Sequence, residues 1–247
     1  MTDLNLVKDQ LSQARHVVVL TGAGMSQESG LPTYRTASDG LWNQYVMEEV
    51  ATAQALRQQP EKVWQWLHAL AQKIGTAAPH AGHLALAQLA RQCQVTIVTQ
   101  NVDDLHERAG STEVIHLHGS ISAFRCVACA RAMTLPVDSG SAWADLRQQV
   151  RCGHCNGYIR FDVVLFNEML DHSRIDSARK AIRDSDVVLV VGTSNLIYPA
   201  AELPVYAMKR YKFVAEINPQ ETPLSSRFRA CIRLPASMAL PAMVPER

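Results

Sequence analysis

Gln100, Asn101, Asp103 and His118 are the side chains of this 247-residue chain whose types and spacing point most directly at chemistry. The first three lie in TQNVDDLH (99–106), just after the apolar run VTIV (95–98). His118 precedes Gly119 in HLHG (116–119), at what reads as a strand end. Histidine titrates near neutral pH and suits proton abstraction. Asn and Gln offer amides to a ribose or a carboxamide, and Asp can orient one of them. His116 is an equal candidate for the base on sequence geometry alone. A plain polar turn is the weaker reading of so dense a cluster.

Upstream, VVVLTGAG (17–24) reads as a buried strand entering a glycine turn that continues through Met25 and Ser26. Glycines let backbone approach a pyrophosphate. The full G-x-G-x-x-G is absent, and so is GK[ST], which excludes a P-loop. Downstream, Cys126, Cys129, Cys152 and Cys155 form two C-x-x-C pairs, the spacing of a closed, tetrahedral and therefore structural zinc site. His154 sits inside a knuckle but is not needed as a ligand. Cys93 is read as packing and Cys231 as a strand-end residue. Together these pieces describe a nucleotide-using enzyme.

The elements that must position these groups follow from apolar runs. VVVL (17–20), VTIV (95–98), VVLF (163–166), VVLVV (187–191) and FVAEI (213–217) are nearly unbroken and rich in β-branched residues, as in a parallel sheet buried on both faces. Helical patterns lie between them: 60–74, with Val63, Leu67, Leu70 and Ile74 on one face, then 81–92 and 176–183. The expected fold class is α/β, an open parallel sheet with helices on both faces. The stretches 33–80 and 119–160 break the rhythm and are assigned to a smaller inserted helical and zinc-binding lobe. The main domain then comprises 1–32, 81–118 and 161–247. The proline-containing tail from Pro235 is expected to end loosely. Hydrophobic residues make up 47% of the chain, enough for a sizeable core. A net charge of +1 does not suit a dedicated nucleic-acid binder. No run of 18 apolar residues suggests a membrane span, and no signal peptide is recognised at the start. Cysteines paired for metal suit a reducing compartment, and the cytoplasm is expected.

GAGMSQESGLPTYR (22–35), TQNVDDLH (99–106), HLHG (116–119), the two cysteine pairs, VGTSN (191–195) and INPQET (217–222) occur in the order found in sirtuins. The chain resembles that family from about residue 14 to 241. The resemblance implies a Rossmann-type domain, a small zinc lobe, and NAD consumed as a co-substrate in the cleft between them. It implies removal of acyl groups from lysine in acylated protein substrates. By that resemblance His118 is the catalytic base, acting with Asn101, and His116 is structural. The cofactor-binding positions are Gly22, Ala23, Gly24, Glu28, Tyr34, Arg35, Trp42, Gln100, Asp103, Gly192, Thr193, Ser194 and Asn218, with Ala236 a weaker match. The substrate is expected as an extended strand between the segment 163–168, with Val163, Val164, Phe166, Asn167 and Glu168, and the loop after VGTSN (191–195).

The implied reaction begins with attack of the acyl oxygen on the nicotinamide ribose and departure of nicotinamide. His118 then takes a ribose hydroxyl proton, and water completes the release of lysine and O-acyl-ADP-ribose. The zinc is structural. The chain resembles the short bacterial branch that includes desuccinylases. That branch grips acidic acyl chains with Tyr-x-x-Arg, where this chain has Leu67 and Leu70; acetyl or longer neutral acyl groups are therefore expected well ahead of succinyl, the two leucines offering apolar surface to longer chains. Phe161 stands where proline is usual, and Asn167 where FGE has glycine. Two other readings compete. One is mono-ADP-ribosyl transfer, which an intact His118 and Asn101 disfavour. The other is a zinc-ribbon nucleic-acid module built on Arg125, Arg131, Arg147, Arg151 and Arg160, disfavoured by Asp138, Asp145 and few aromatic residues.

Overall fold

The computed structural model describes residues 2–31, 47–133 and 151–244. The β-branched runs form a parallel sheet of six strands in the order β3-β2-β1-β7-β8-β9. Its strands are β1 (His16–Thr21), β2 (Gln94–Thr99), β3 (Val114–His116), β7 (Val187–Val191), β8 (Phe213–Ile217) and β9 (Ala230–Ile232). Counted within this sheet the order is 3-2-1-4-5-6, that of dinucleotide-binding folds. It reverses between β1 and β7, so their carboxyl ends open the crevice in which such folds hold ligands.

Strand alternation divides the sheet's side chains between two cores. Val17, Val19, Ile97, Leu189 and Ile217 face one way, onto α1 (Asp3–Gln13), α6 (Ala81–Leu89) and α10 (Ala236–Met243). Val18, Leu20, Val98, Val188, Val190 and Val214 face the other, onto α8 (His172–Asp184) and α9 (Glu202–Lys209). The expected two-faced burial is therefore met.

A third core joins α4 (Ala53–Gln58) and α5 (Pro60–Thr76) to a small sheet of order β5-β4-β6. Its strands are β4 (Gly119–Cys126), β5 (Ala132–Met133) and β6 (Ile159–Val163). Val63, Leu67, Leu70 and Ile74 of α5 are all buried in this core, as the spacing requires. Phe161 lies 4.9 Å from the rings of both Trp64 and Phe124, so the residue that replaces a proline serves as a core aromatic.

Three expectations need correcting. VVLF (163–166) is not a strand of the parallel sheet. Val163 ends β6, which pairs antiparallel with β4, and the next residues turn away to bond Ala51 and Ala53. The tail does not end loosely at Pro235. That proline caps α10, whose Ala236, Ala239, Leu240 and Met243 recur on one face and are buried, despite Pro241 within the helix. His118 does not end a strand, because β3 stops at His116 and β4 begins at Gly119.

Candidate active site

Glycine brings the two central loops together. A Cβ on Gly22 would lie 2.8 Å from the Thr193 Cβ, and one on Gly24 2.8 Å from Gly192. Gly192 has φ +60, and a Cβ there would fall 2.4 Å from the Met25 nitrogen. The Gly24 N–H donates to the Gly192 carbonyl at 2.8 Å. The glycines that suggested a phosphate cradle are thus also required by loop-to-loop contact at the switch point. Ala23, between them, is exposed.

Polar groups line the carboxyl ends of the strands in a continuous chain. Asn218 Nδ2 donates to the Thr193 carbonyl at 3.0 Å, and Gln100 Nε2 donates to Thr193 Oγ1 at 3.0 Å. The Gln100 carbonyl lies 2.8 Å from His118 Nδ1. Deeper in the crevice, Asn101 Nδ2 donates to the Gly22 carbonyl (3.0 Å) and to Ser26 Oγ (2.9 Å). Ser26 Oγ donates to Asp103 Oδ2 at 2.8 Å, and the Leu105 N–H donates to Asp103 Oδ1. Asn101, Asp103 and Ser26 are all buried. Burial raises the Asp103 carboxyl above its ordinary range, against the hydrogen bond from Ser26. Ser26 was not among the expected site residues. The signal available was its place one helical turn beyond Gly22, in α2 (Ala23–Gln27).

The two histidines, indistinguishable in sequence, differ in their hydrogen bonds. A carbonyl only accepts, so His118 Nδ1 must carry the proton that meets Gln100 O. Nε2 is then the unprotonated nitrogen of a neutral ring. Burial lowers the His118 pKa, opposed by that bond, so the neutral form is favoured. His116 has both nitrogens engaged: Nδ1 with the Asn101 carbonyl at 3.2 Å and Nε2 with Glu107 Oε1 at 2.6 Å. Burial opposes its charge, but Glu107 outweighs this and raises its pKa. A protonated, doubly donating imidazolium has no lone pair for a base. His118 has one.

The remaining expected residues are placed as follows. Ser194 lies in the same turn as Gly192 and Thr193, half-buried. Glu28 sits at the start of α10, where its carboxylate accepts from the Ser237 N–H at 3.1 Å and from the Ser237 hydroxyl. Ala236 is buried in the α6–α10 core, with its carbonyl 2.7 Å from where a Cβ on Gly82 would stand. Tyr34, Arg35 and Trp42 lie outside the described residues. In the segment 163–168, the Val164 N–H donates to the His118 carbonyl at 2.8 Å. The Phe166 N–H donates to Ala51 O and its carbonyl accepts from the Ala53 N–H. Asn167 has φ +65, a left-handed conformation that asparagine tolerates better than most residues, which accounts for its replacing glycine.

The four cysteine sulfurs gather within 4.8 Å of one another. Cys126 Sγ lies 3.4 Å from Cys155 Sγ, and Cys129 Sγ 3.8 Å from Cys152 Sγ. Thiolates about 2.3 Å from a tetrahedral zinc stand about 3.8 Å apart, so the set fits that ion. Ala130 and Asn156, one residue past each pair, take φ +56 and +58 to close the knuckles. Arg160 and Arg125 of this lobe are paired with Glu168 and Asp162, which reduces the basic surface that a nucleic-acid reading required.

A parallel sheet of this order, with a polar crevice at its switch point and a four-thiolate lobe beside it, defines a dinucleotide-using enzyme with a structural metal. The Sir2 family model matches residues 22–199, and the chain belongs to that family. An NAD-dependent protein deacylase of Mycolicibacterium paratuberculosis is 43% identical over 228 residues, spanning 92% of this chain and 96% of that protein. NAD-dependent protein deacylase 1 of Archaeoglobus fulgidus is 44% identical, over 87% of this chain and 86% of that one. A solved Sir2 homolog–NAD complex superposes with TM-score 0.88 at 40% identity, covering 97% of this chain and 91% of that one. A Sir2 complex with a deacetylated p53 peptide and 3'-O-acetyl ADP-ribose superposes with TM-score 0.83 at 28% identity, covering 98% and 97%. Among the described residues, no helix is long and apolar enough to cross a membrane.

Proposed function

We propose that this chain is an NAD-dependent protein-lysine deacylase that converts an acyl-lysine side chain to lysine, with release of nicotinamide and O-acyl-ADP-ribose. The observation that carries the reading is the state of His118: a neutral ring whose Nδ1–H is fixed on Gln100 O, with Nε2 available as acceptor. NAD, when bound, supplies the ribose that receives the acyl group and the nicotinamide that leaves. Gly192, Thr193, Ser194 and Asn218 are assigned to its adenosine end, Gly22, Ala23 and Gly24 to its phosphates, and Gln100, Asn101 and Asp103 to the ribose and carboxamide. Asn101 is oriented there by Ser26, and Asp103 by Ser26 and Leu105. Tyr34, Arg35 and Trp42 keep the roles that the family resemblance gives them. His118 Nε2 holds the proton taken from the ribose hydroxyl, and among the described residues no carboxylate is hydrogen-bonded to this ring. The four thiolates of Cys126, Cys129, Cys152 and Cys155 hold zinc for folding alone.

The protein substrate lies along 163–168, with Val164 O and the Asn167 peptide groups as its pairing positions. The main domain is 1–32, 81–118 and 161–247, the small lobe 33–80 and 119–160, and the cleft between them takes both substrates. A reducing cytoplasmic setting suits four thiolates held for metal. Leu67 and Leu70 are 1% and 8% exposed and belong to the small-lobe core, so they add no apolar surface for long acyl chains. Neutral acyl groups remain favoured over succinyl, without a gain for greater length. Acetyl-, butyryl- and succinyl-lysine peptides incubated with NAD and read by mass spectrometry test this. Free lysine and O-acyl-ADP-ribose are expected; ADP-ribose attached to protein instead would support the transferase reading.

A further inference from the structure

The segment 163–168 turns around one guanidinium. Arg160 is 4% exposed, on β6, and directs its donors along the chain that follows it. Its Nε donates to the Phe161 carbonyl at 3.2 Å, and Nη2 donates to the Val163 carbonyl. Nη1 and Nη2 reach the two carboxylate oxygens of Glu168, at 2.5 and 3.1 Å. Glu168 Oε2 in turn accepts the Leu165 N–H at 2.8 Å. One fork therefore fixes both ends and the middle of the segment. A buried arginine without its carboxylate is costly, which makes the turn a well-defined state. The segment is also joined to the base, since Val164 N–H donates to His118 O.

We propose that Arg160 and Glu168 are positioning residues for deacylation: their ion pair sets the segment on which the acyl-lysine peptide docks and, through Val164, its distance from His118. This rests on the reading that the peptide lies along 163–168. Neither residue is assigned to NAD, so the pair acts on one substrate and not the other. A small misplacement of reacting groups costs on the order of a hundredfold in rate.

The test compares Glu168→Gln, Arg160→Lys and Arg160→Met in the zinc-loaded full chain, by peptide KM, NAD KM, kcat and thermal midpoint. Hydrogen exchange of 163–168 with and without an acetyl-lysine peptide is measured on the unsubstituted protein. Arg160→Met is expected to raise peptide KM about tenfold or more and to lower kcat, with NAD KM within about twofold; Glu168→Gln should do the same to a lesser degree. Arg160→Lys should recover part of the loss. If Arg160→Met does not fold, Glu168→Gln and Arg160→Lys, which retain hydrogen-bonding groups, carry the test. Unchanged peptide KM and kcat in folded variants, with 163–168 protected by peptide, overturn the clamp alone. A rise in NAD KM equal to that for peptide also overturns it, as general loosening. No protection of 163–168 in the unsubstituted protein removes the docking reading and the clamp together.

Discussion

His118→Ala tests the central assignment, and the structure sets both its size and its pH dependence. Losing a general base costs about 10²–10⁴ in rate, equivalent to about 3–5 kcal/mol. The His118 side chain is half-buried, and among the described residues it hydrogen-bonds to a backbone carbonyl. Its removal should therefore cost only about 1 kcal/mol of stability, the usual scale of one hydrogen bond. Burial places the His118 pKa below its ordinary value of about 6.5, so at pH 7 at least about three quarters of the molecules hold a neutral base. The kcat/KM of the unsubstituted protein should be level from pH 7 upward as far as His118 governs it. It should fall toward acid pH with unit slope once the depressed pKa is passed. His118→Ala should abolish that acid limb together with the rate. His116→Gln, which removes a charged and doubly bonded ring, should instead lower stability. Deacylation of an acetyl-lysine peptide, followed by mass spectrometry from pH 5 to 9, reads these effects. A folded His118→Ala within tenfold of the parent, or an acid limb that survives it, refutes the assignment; so does a loss of activity confined to His116→Gln.

Four other outcomes are expected. Cys126→Ala should lose zinc by elemental analysis and lower the thermal midpoint, and zinc-free protein that stays folded and active would exclude a structural ion. Gly119→Ala should cost several kcal/mol, on the order of 3 or more: φ is +80 and the new Cβ would meet the Asp162 carbonyl at 1.9 Å, which denaturant titration would register. His106 and His83 are held neutral mainly by burial, their pKa values lowered to about 4 and about 2. Because the unfolded chain takes up those protons first, stability should fall as pH drops from about 6.5 toward 4, by about 1.4 kcal/mol per unit for each histidine; His106→Gln should flatten the slope of urea-unfolding stability against pH. Leu67→Ala should cost about 2–5 kcal/mol in stability while leaving the ratio of acetyl to butyryl kcat/KM unchanged, since its side chain packs in the core.

The strands were legible where burial on both faces left no polar residue to interrupt them, as in VVLVV, whose five residues are all buried. The same rule misled at VVLF, because β6 is IRFDV, in which a buried arginine replaces an apolar side chain and only its ion pair with Glu168 reveals why. Strand β3 is three residues and α2 five, too short for any period to show. Helix α10 was hidden by prolines whose effect depends on which N–H groups the fold requires. Gln100, Asn101, Asp103 and His118 were singled out by type and spacing, Thr193 and Asn218 by the order of family motifs, and the structure brings the six together in one crevice. The choice between His116 and His118 was not legible, because it depends on which carbonyl and which carboxylate each ring meets. The core packing of Leu67 and Leu70 was legible, because they share a helix face with Val63 and Ile74.

The acceptor that orients His118 is a peptide carbonyl, Gln100 O. Many catalytic histidines depend on a neighbouring carboxylate, which a single codon change can delete. Here every amino acid at position 100 carries the same carbonyl, so the His118 tautomer survives any substitution that leaves the chain path intact. The side chain of residue 100 is thereby free to diverge without disturbing the hydrogen bond that orients His118. The proton transfer proposed for His118 would be vulnerable instead to changes in backbone course, such as insertions between Thr99 and His118 or a side chain forced onto Gly119.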